Sequence, residues 1–129
     1  MARSITLSNL KHAMKRINEE SMLRKLGSCD AVMGIKVASR CYAVTFEAFE
    51  VVDVSEIDED DLLDVDFYID MKKKDWETFL STLDTDAPQT LNNLDLEHNI
   101  VKSADERRRL AFLQYHLSFQ RFFEVAATT

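Results

Sequence analysis

Apolar and polar residues alternate without a break through Val65-Asp-Phe-Tyr-Ile-Asp-Met71. Successive side chains of a strand point to opposite faces of a sheet, so this pattern predicts a strand. We expect its buried face to carry Val65, Phe67, Ile69 and Met71. The opposite face would be wet or partly covered, as in an antiparallel sheet with one solvated side.

Two further strands are predicted ahead of this one. Ala31–Val37 and Cys41–Ala48 both alternate, and the three residues between them favour an antiparallel hairpin. Phe49–Val54 is either a third strand or an extension of the second. The acidic run Ser55–Asp64 predicts a loop or one turn of helix.

Helical spacing of apolar residues lies on both sides of the strands. Between Leu10 and Leu26 apolar residues recur every three or four positions, with a shift near Glu20. This predicts a bent helix or two short helices that end at Gly27. The spacing within Trp76–Leu83 predicts another helix directly after the clearest strand.

Three signals organise the last third of the chain. Asp86-Ala-Pro-Gln89 combines an N-cap acid with an early proline, which predicts a short helix. Leu96–Val101 predicts a last strand. Ser103-Ala-Asp-Glu106 has the spacing of a capping box and predicts the longest helix, which runs to about Val125.

This order of elements predicts the α+β fold class. We expect a mainly antiparallel sheet of about five strands, covered by helices and closed by a long C-terminal helix. The 129 residues, 46% of them apolar, predict a single domain over residues 1–129. With only two Gly and one Pro, the composition disfavours a many-turned β-sandwich and a Gly-rich phosphate loop.

Charge is distributed unevenly along the chain. The net charge is −7, yet residues 41–70 hold eleven acids and no Lys or Arg. Nucleic acid is therefore excluded as a partner, because phosphate binding needs clustered cations. We interpret the acidic 53–70 region as solvated, with recruitment of a protein partner as the alternative. A calcium loop would need Gly at its sixth and Glu at its twelfth position, and no placement here supplies both.

The sequence also predicts the compartment. No apolar stretch approaches the roughly 20 residues of a transmembrane span, and no amino-terminal signal segment is visible. Cys29 and Cys41 stand alone, so we expect free thiols and neither a disulfide framework nor a zinc ribbon. These features predict a cytoplasmic protein.

Catalytic signatures are missing from the sequence. His12, His98 and His116 have no liganding spacing, and we expect no metal and no cofactor. Asp66, Asp70 or His98 would be the base if the chain were a small cone-shaped α+β isomerase or dehydratase. Since nothing in the sequence anchors a substrate, a binding function is favoured over an enzymatic one.

Aromatic residues are concentrated in the last helix, where Phe112, Phe119, Phe122 and Phe123 form a wide apolar stripe. These rings either fill the core between helix and sheet, or line an apolar cavity or a dimer surface. Both interpretations stay open at this point.

The segment Tyr68–Leu83, followed by Pro88, Leu91 and Leu94-Asp-Leu96, resembles the sterol-carrier-protein-like lipid-transfer domain. The likeness covers the element order of nearly the whole chain and about thirty residues of motif. Near the positions where that family carries glycine, this chain has Asn92 or Asn93 and His98 or Asn99, and asparagine tolerates the left-handed conformation.

The resemblance implies a five-stranded sheet covered by helices, with an apolar tunnel between them. It also implies that the protein binds an apolar small molecule, namely a sterol, fatty acid or acyl thioester, and does no chemistry on it. The matching lining positions, taken from face and order, would be Phe46, Phe67, Ile69, Trp76, Leu80, Phe112, Tyr115, Phe119 and Phe123. The alternative function is protein–protein interaction through the aromatic C-terminal helix, with a homodimer as the simplest case.

Overall fold

The computed structural model describes residues 4–129, so residues 1–3 of the predicted domain lie outside the described residues. The helices are α1 (Leu7–Glu19), α2 (Met22–Leu26), α3 (Lys73–Thr82), α4 (Leu91–His98) and α5 (Glu106–Ala127). The strands are β1 (Ala31–Val37), β2 (Arg40–Glu47), β3 (Glu50–Ile57), β4 (Phe67–Met71) and β5 (Val101–Lys102). A short 3-10 helix, Glu59–Leu63, connects β3 to β4.

The strands form one five-stranded sheet in the order β3-β2-β1-β4-β5. β1 and β4 run parallel, and the other three neighbouring pairs are antiparallel. The predicted α+β class with a mainly antiparallel sheet and a long last helix is confirmed. The open choice after β2 is settled as well, since a turn with Ala48 at a φ of 56° separates β2 from a third strand.

One face of the sheet carries the main core. Met33, Ile35, Val44, Phe67 and Ile69 are all fully buried there beneath the helices. α5 contacts β4 and each of the other four helices, so it holds the helical layer together. The predicted break near Glu20 is confirmed, because α1 ends there and α2 begins two residues later.

The other face of the sheet is covered in part by the 3-10 helix. A small second cluster there contains Cys41, Ala43, Leu62 and Val65. The prediction that Val65 shares the core face with Phe67 is therefore wrong. β4 begins only at Phe67, and the chain before it is turned toward the second cluster.

Two predicted helix starts are also wrong. α4 begins at Leu91 with Thr90 as its N-cap, five residues after the predicted capping residue Asp86, and Pro88 lies outside the helix. α5 uses Asp105 as its N-cap instead of Ser103. The predicted last strand is wrong at its start as well, because Leu96 lies inside α4 and β5 begins only at Val101.

Candidate functional site

The predicted lining residues come together between the sheet and the helices. Eight of them are buried, and Tyr115 is half-buried. They come from four elements: Phe46 from β2, Phe67 and Ile69 from β4, Trp76 and Leu80 from α3, and Phe112, Tyr115, Phe119 and Phe123 from α5. The sequence thus identified the residues that meet in this layer.

The rings of this layer contact one another directly. The Phe119 ring lies 4.8 Å from Phe67 and 5.1 Å from Phe46, measured between ring centroids. The rings of Trp76 and Phe123 are 5.3 Å apart. Edge-to-face and tilted contacts of this kind each add about 0.5–1.5 kcal/mol beyond burial. The aromatic side chains therefore pack this layer as a core.

A cleft of about 490 Å³ opens at one end of the layer, and we name it the Trp76 cleft. Its walls are the β1–β2 hairpin, the segment Ser4–Leu7 and the first turns of α3. Its apolar lining includes Ile5, Val37 and Tyr42, and of these Ile5 and Tyr42 are almost fully buried. A volume in this range is typical of small-molecule pockets.

The indole of Trp76 is held in a fixed position beside this cleft. Its Nε1 donates a hydrogen bond of 2.9 Å to the carbonyl oxygen of Lys36 on β1. The Trp76 ring is completely buried. The same side chain packs in the aromatic layer and forms part of the cleft wall. Trp76 is the one predicted lining residue that also borders this cleft.

Among residues 4–129, the lining of the Trp76 cleft also includes two cations and one acid: Arg40, Lys73 and Glu77. The Arg40 side chain is 69% exposed, and its guanidinium lies 3.5 Å from Glu56. Within residues 4–129, Lys73 forms no ion pair. Sequence analysis missed both cations, because no local pattern connects a hairpin residue to the start of a helix.

A second cleft of about 410 Å³ is lined mostly by polar and charged residues, and we name it the Asp70 cleft. It brings Asp70 and His98 together, two of the residues considered as a base. The third, Asp66, is separate: its Oδ2 accepts a hydrogen bond of 2.7 Å from the Val32 amide, and its Oδ1 lies 3.5 Å from Arg108. The His98 side chain is mostly exposed.

Both cysteine thiols are free and buried. Burial, together with the nearby charges of Asp30 and Asp66, raises the pKa of the Cys29 thiol to about 12. Burial also raises the pKa of the Cys41 thiol. Since the thiolate is the reactive form of cysteine, neither side chain is prepared to act as a nucleophile.

The outer side of α5 carries an apolar surface that the aromatic stripe does not use. Leu110, Leu113 and Leu117 follow one another at helical spacing and are 58%, 52% and 57% exposed. We name these three side chains the leucine face. By contrast, Phe119 and Phe122, which were considered for a dimer surface, are fully buried.

Two further properties concern metals and membranes. In the part of the chain that the structure describes, no three His, Cys, Asp or Glu side chains are grouped closely enough to ligate an ion. Among the helices of residues 4–129, none combines the length and the apolar character needed to cross a membrane. No family model, curated protein or solved structure matches the chain.

Proposed function

We propose that the protein is a non-enzymatic binding module that holds an apolar small molecule at the Trp76 cleft, between the sheet and the helices. The ligand is drawn from the classes that the sterol-carrier-like resemblance implies, and the module transfers it without changing it. The observation that carries this proposal is a cleft of about 490 Å³, with more apolar than polar surface in its lining, at the end of the aromatic layer.

The Trp76 cleft is a better place for the ligand than the middle of the layer. Rings with centroids 4.8–5.5 Å apart occupy the middle, and a ligand there would have to displace them. The cleft already has volume, and its apolar walls offer burial of roughly 25 cal/mol per Å² of apolar surface. The two free thiols favour a reducing compartment, so we place this binding in the cytoplasm.

Ligand binding is testable through Trp76, which is the only tryptophan of the chain. We expect purified protein to bind a fluorescent fatty acid at micromolar concentration and to release it when an unlabelled apolar ligand is added. The tryptophan emission should change on binding, and native mass spectrometry should detect retained ligand. Val37→Asp places a charge in the apolar wall and should weaken binding by about tenfold or more.

Val52→Asp is the matched control, because Val52 is 45% exposed on β3 and does not line the cleft. This variant should bind like the wild type. Absence of retained ligand, of probe binding and of any emission change in the wild type would refute the proposed function.

Self-association is the second candidate function, and the leucine face favours it. We propose a second copy of the chain as the occupant, since a symmetric contact would bury the same three exposed leucines of both copies against each other. An exposed row of apolar side chains is typical of an interaction surface.

A further inference from the structure

We infer that the Trp76 cleft selects an apolar ligand with a carboxylate head group over a neutral ligand of the same length, and that Arg40 and Lys73 are the selecting residues. This inference rests on the proposed function, because it names the ligand class of the same cleft.

The charge of the cleft opposes the charge of the whole protein. Among residues 4–129, Arg40 and Lys73 line it with one acid, Glu77, so this described part of the lining carries one net positive charge. The protein as a whole carries −7. In a molecule with this excess of acids, a positive rim on an apolar cleft concentrates anionic amphiphiles and repels cationic ones.

The two cations reach the cleft from two different elements. Arg40 begins β2 directly after the hairpin turn, and Lys73 begins α3. Apolar side chains of Ile5, Val37 and Trp76 also line the cleft. This arrangement suits an amphiphile whose chain lies along the apolar wall while its head group remains at the charged rim.

Both cations are available for a ligand. The contact of Arg40 with Glu56 is long, at 3.5 Å, and both side chains are exposed, so it contributes little. Lys73 forms no ion pair within residues 4–129. A guanidinium donates two parallel hydrogen bonds to a carboxylate, and an ammonium adds a point charge. A neutral alcohol or ester receives neither benefit in full.

Decanoate and 1-decanol, titrated below their aggregation concentrations, are the probes, and the emission of Trp76 is the signal. We expect decanoate to bind at least about fivefold more tightly than 1-decanol. Arg40→Gln and Lys73→Gln should each reduce this preference about two- to fivefold, and the double variant should abolish it. Added salt should weaken decanoate binding and leave 1-decanol binding unchanged.

Lys72→Gln is the control. It removes the same charge one residue away, and Lys72 lines the Asp70 cleft instead of the Trp76 cleft. It should leave the preference for decanoate intact. Equal affinity for the two probes, or equal effects of Lys72→Gln and Lys73→Gln, would overturn the inference while the proposed function stands. If neither probe changes the emission of Trp76, the proposed function fails and the inference fails with it.

Discussion

Gly34 shows how one residue controls the spacing of two strands. A Cβ at this position would lie 2.6 Å from the Cβ of Tyr68 on β4, and 3.1 Å from Leu62. The Leu62 side chain has freedom to move, but the Tyr68 Cβ is fixed to the backbone of the paired strand. Glycine is therefore required where β1 and β4 pair in parallel.

Gly34→Ala should destabilise the protein by about 1–3 kcal/mol, because overpacking forces the two strands apart. Urea unfolding would show a lower midpoint with little change in the m-value. Adding Leu62→Ala should not restore stability, since the Tyr68 contact remains. A double variant as stable as the wild type would contradict this assignment.

The sequence revealed Gly34 only as one residue of an alternating strand. Its partner Tyr68 is 34 positions away, and the parallel register that brings them together depends on the crossover between β3 and β4. The left-handed conformation of Asn99, with a φ of 53°, agrees with the sequence, because asparagine tolerates that region.

At the level of elements, α5 is fixed to the amino-terminal helices by a charged contact. The Arg121 guanidinium donates two hydrogen bonds of 2.8 Å to the Glu20 carboxylate at the end of α1. These hydrogen bonds lower the pKa of the Glu20 carboxyl below its ordinary value of 4.5, although partial burial opposes them. The pair thus joins the longest helix to the α1–α2 junction.

The lowered pKa predicts a dependence of stability on acid. A carboxyl with a lower pKa in the folded protein stabilises it fully above the unfolded value of 4.5, and this contribution is lost as pH falls through the folded value. Glu20→Gln should therefore lower the free energy of unfolding by about 1 kcal/mol at neutral pH. The difference from wild type should shrink as the pH falls below 4.5.

Urea unfolding of both proteins at neutral and acid pH would measure this difference. Glu19→Gln is the matched control, because Glu19 is exposed and forms no ion pair within residues 4–129. It should change stability little at either pH. A Glu20→Gln defect of the same size at both pH values would show that the charge of Glu20 is not the cause.

The two misplaced helix starts have a common physical reason. The Ser103 hydroxyl donates to the carbonyl oxygen of Asp66, the residue before β4, at 2.7 Å, and its oxygen accepts from the Asp105 amide. Asp105 therefore caps α5 in its place. Before α4, the Gln89 amide donates to Thr82 Oγ1, and the Gln89 carbonyl accepts from Gln120. Local capping patterns cannot show such partners, because they come from other elements.

At the scale of the whole molecule, the sequence predicted the aromatic layer but not the cleft. Helical and strand spacing identified Phe67, Trp76 and Phe119 one element at a time, and each element buries its own apolar side. The Trp76 cleft exists only because residues 4–7, the β1–β2 hairpin and α3 meet at one end of the sheet. These segments are far apart in sequence, so no local pattern predicts that they form a cleft together.

The proposed self-association through the leucine face can be tested by the mass of the protein in solution. If two copies associate through it, light scattering of the wild type should give twice the 14.9 kDa of one chain. Leu113→Asp should then halve the measured mass, because a charge buried between the copies opposes association. Leu113 is 52% exposed, so the substitution should leave the fold and the circular dichroism spectrum unchanged.

Leu96→Asp provides the comparison, since Leu96 is 78% exposed on α4 and lies outside the leucine face. This variant should keep the mass of the pair. A wild type that scatters as one chain at all concentrations would remove self-association as a function and leave the Trp76 cleft as the remaining candidate. Ligand binding that survives in a monomeric Leu113→Asp variant would show that the cleft and the leucine face act independently.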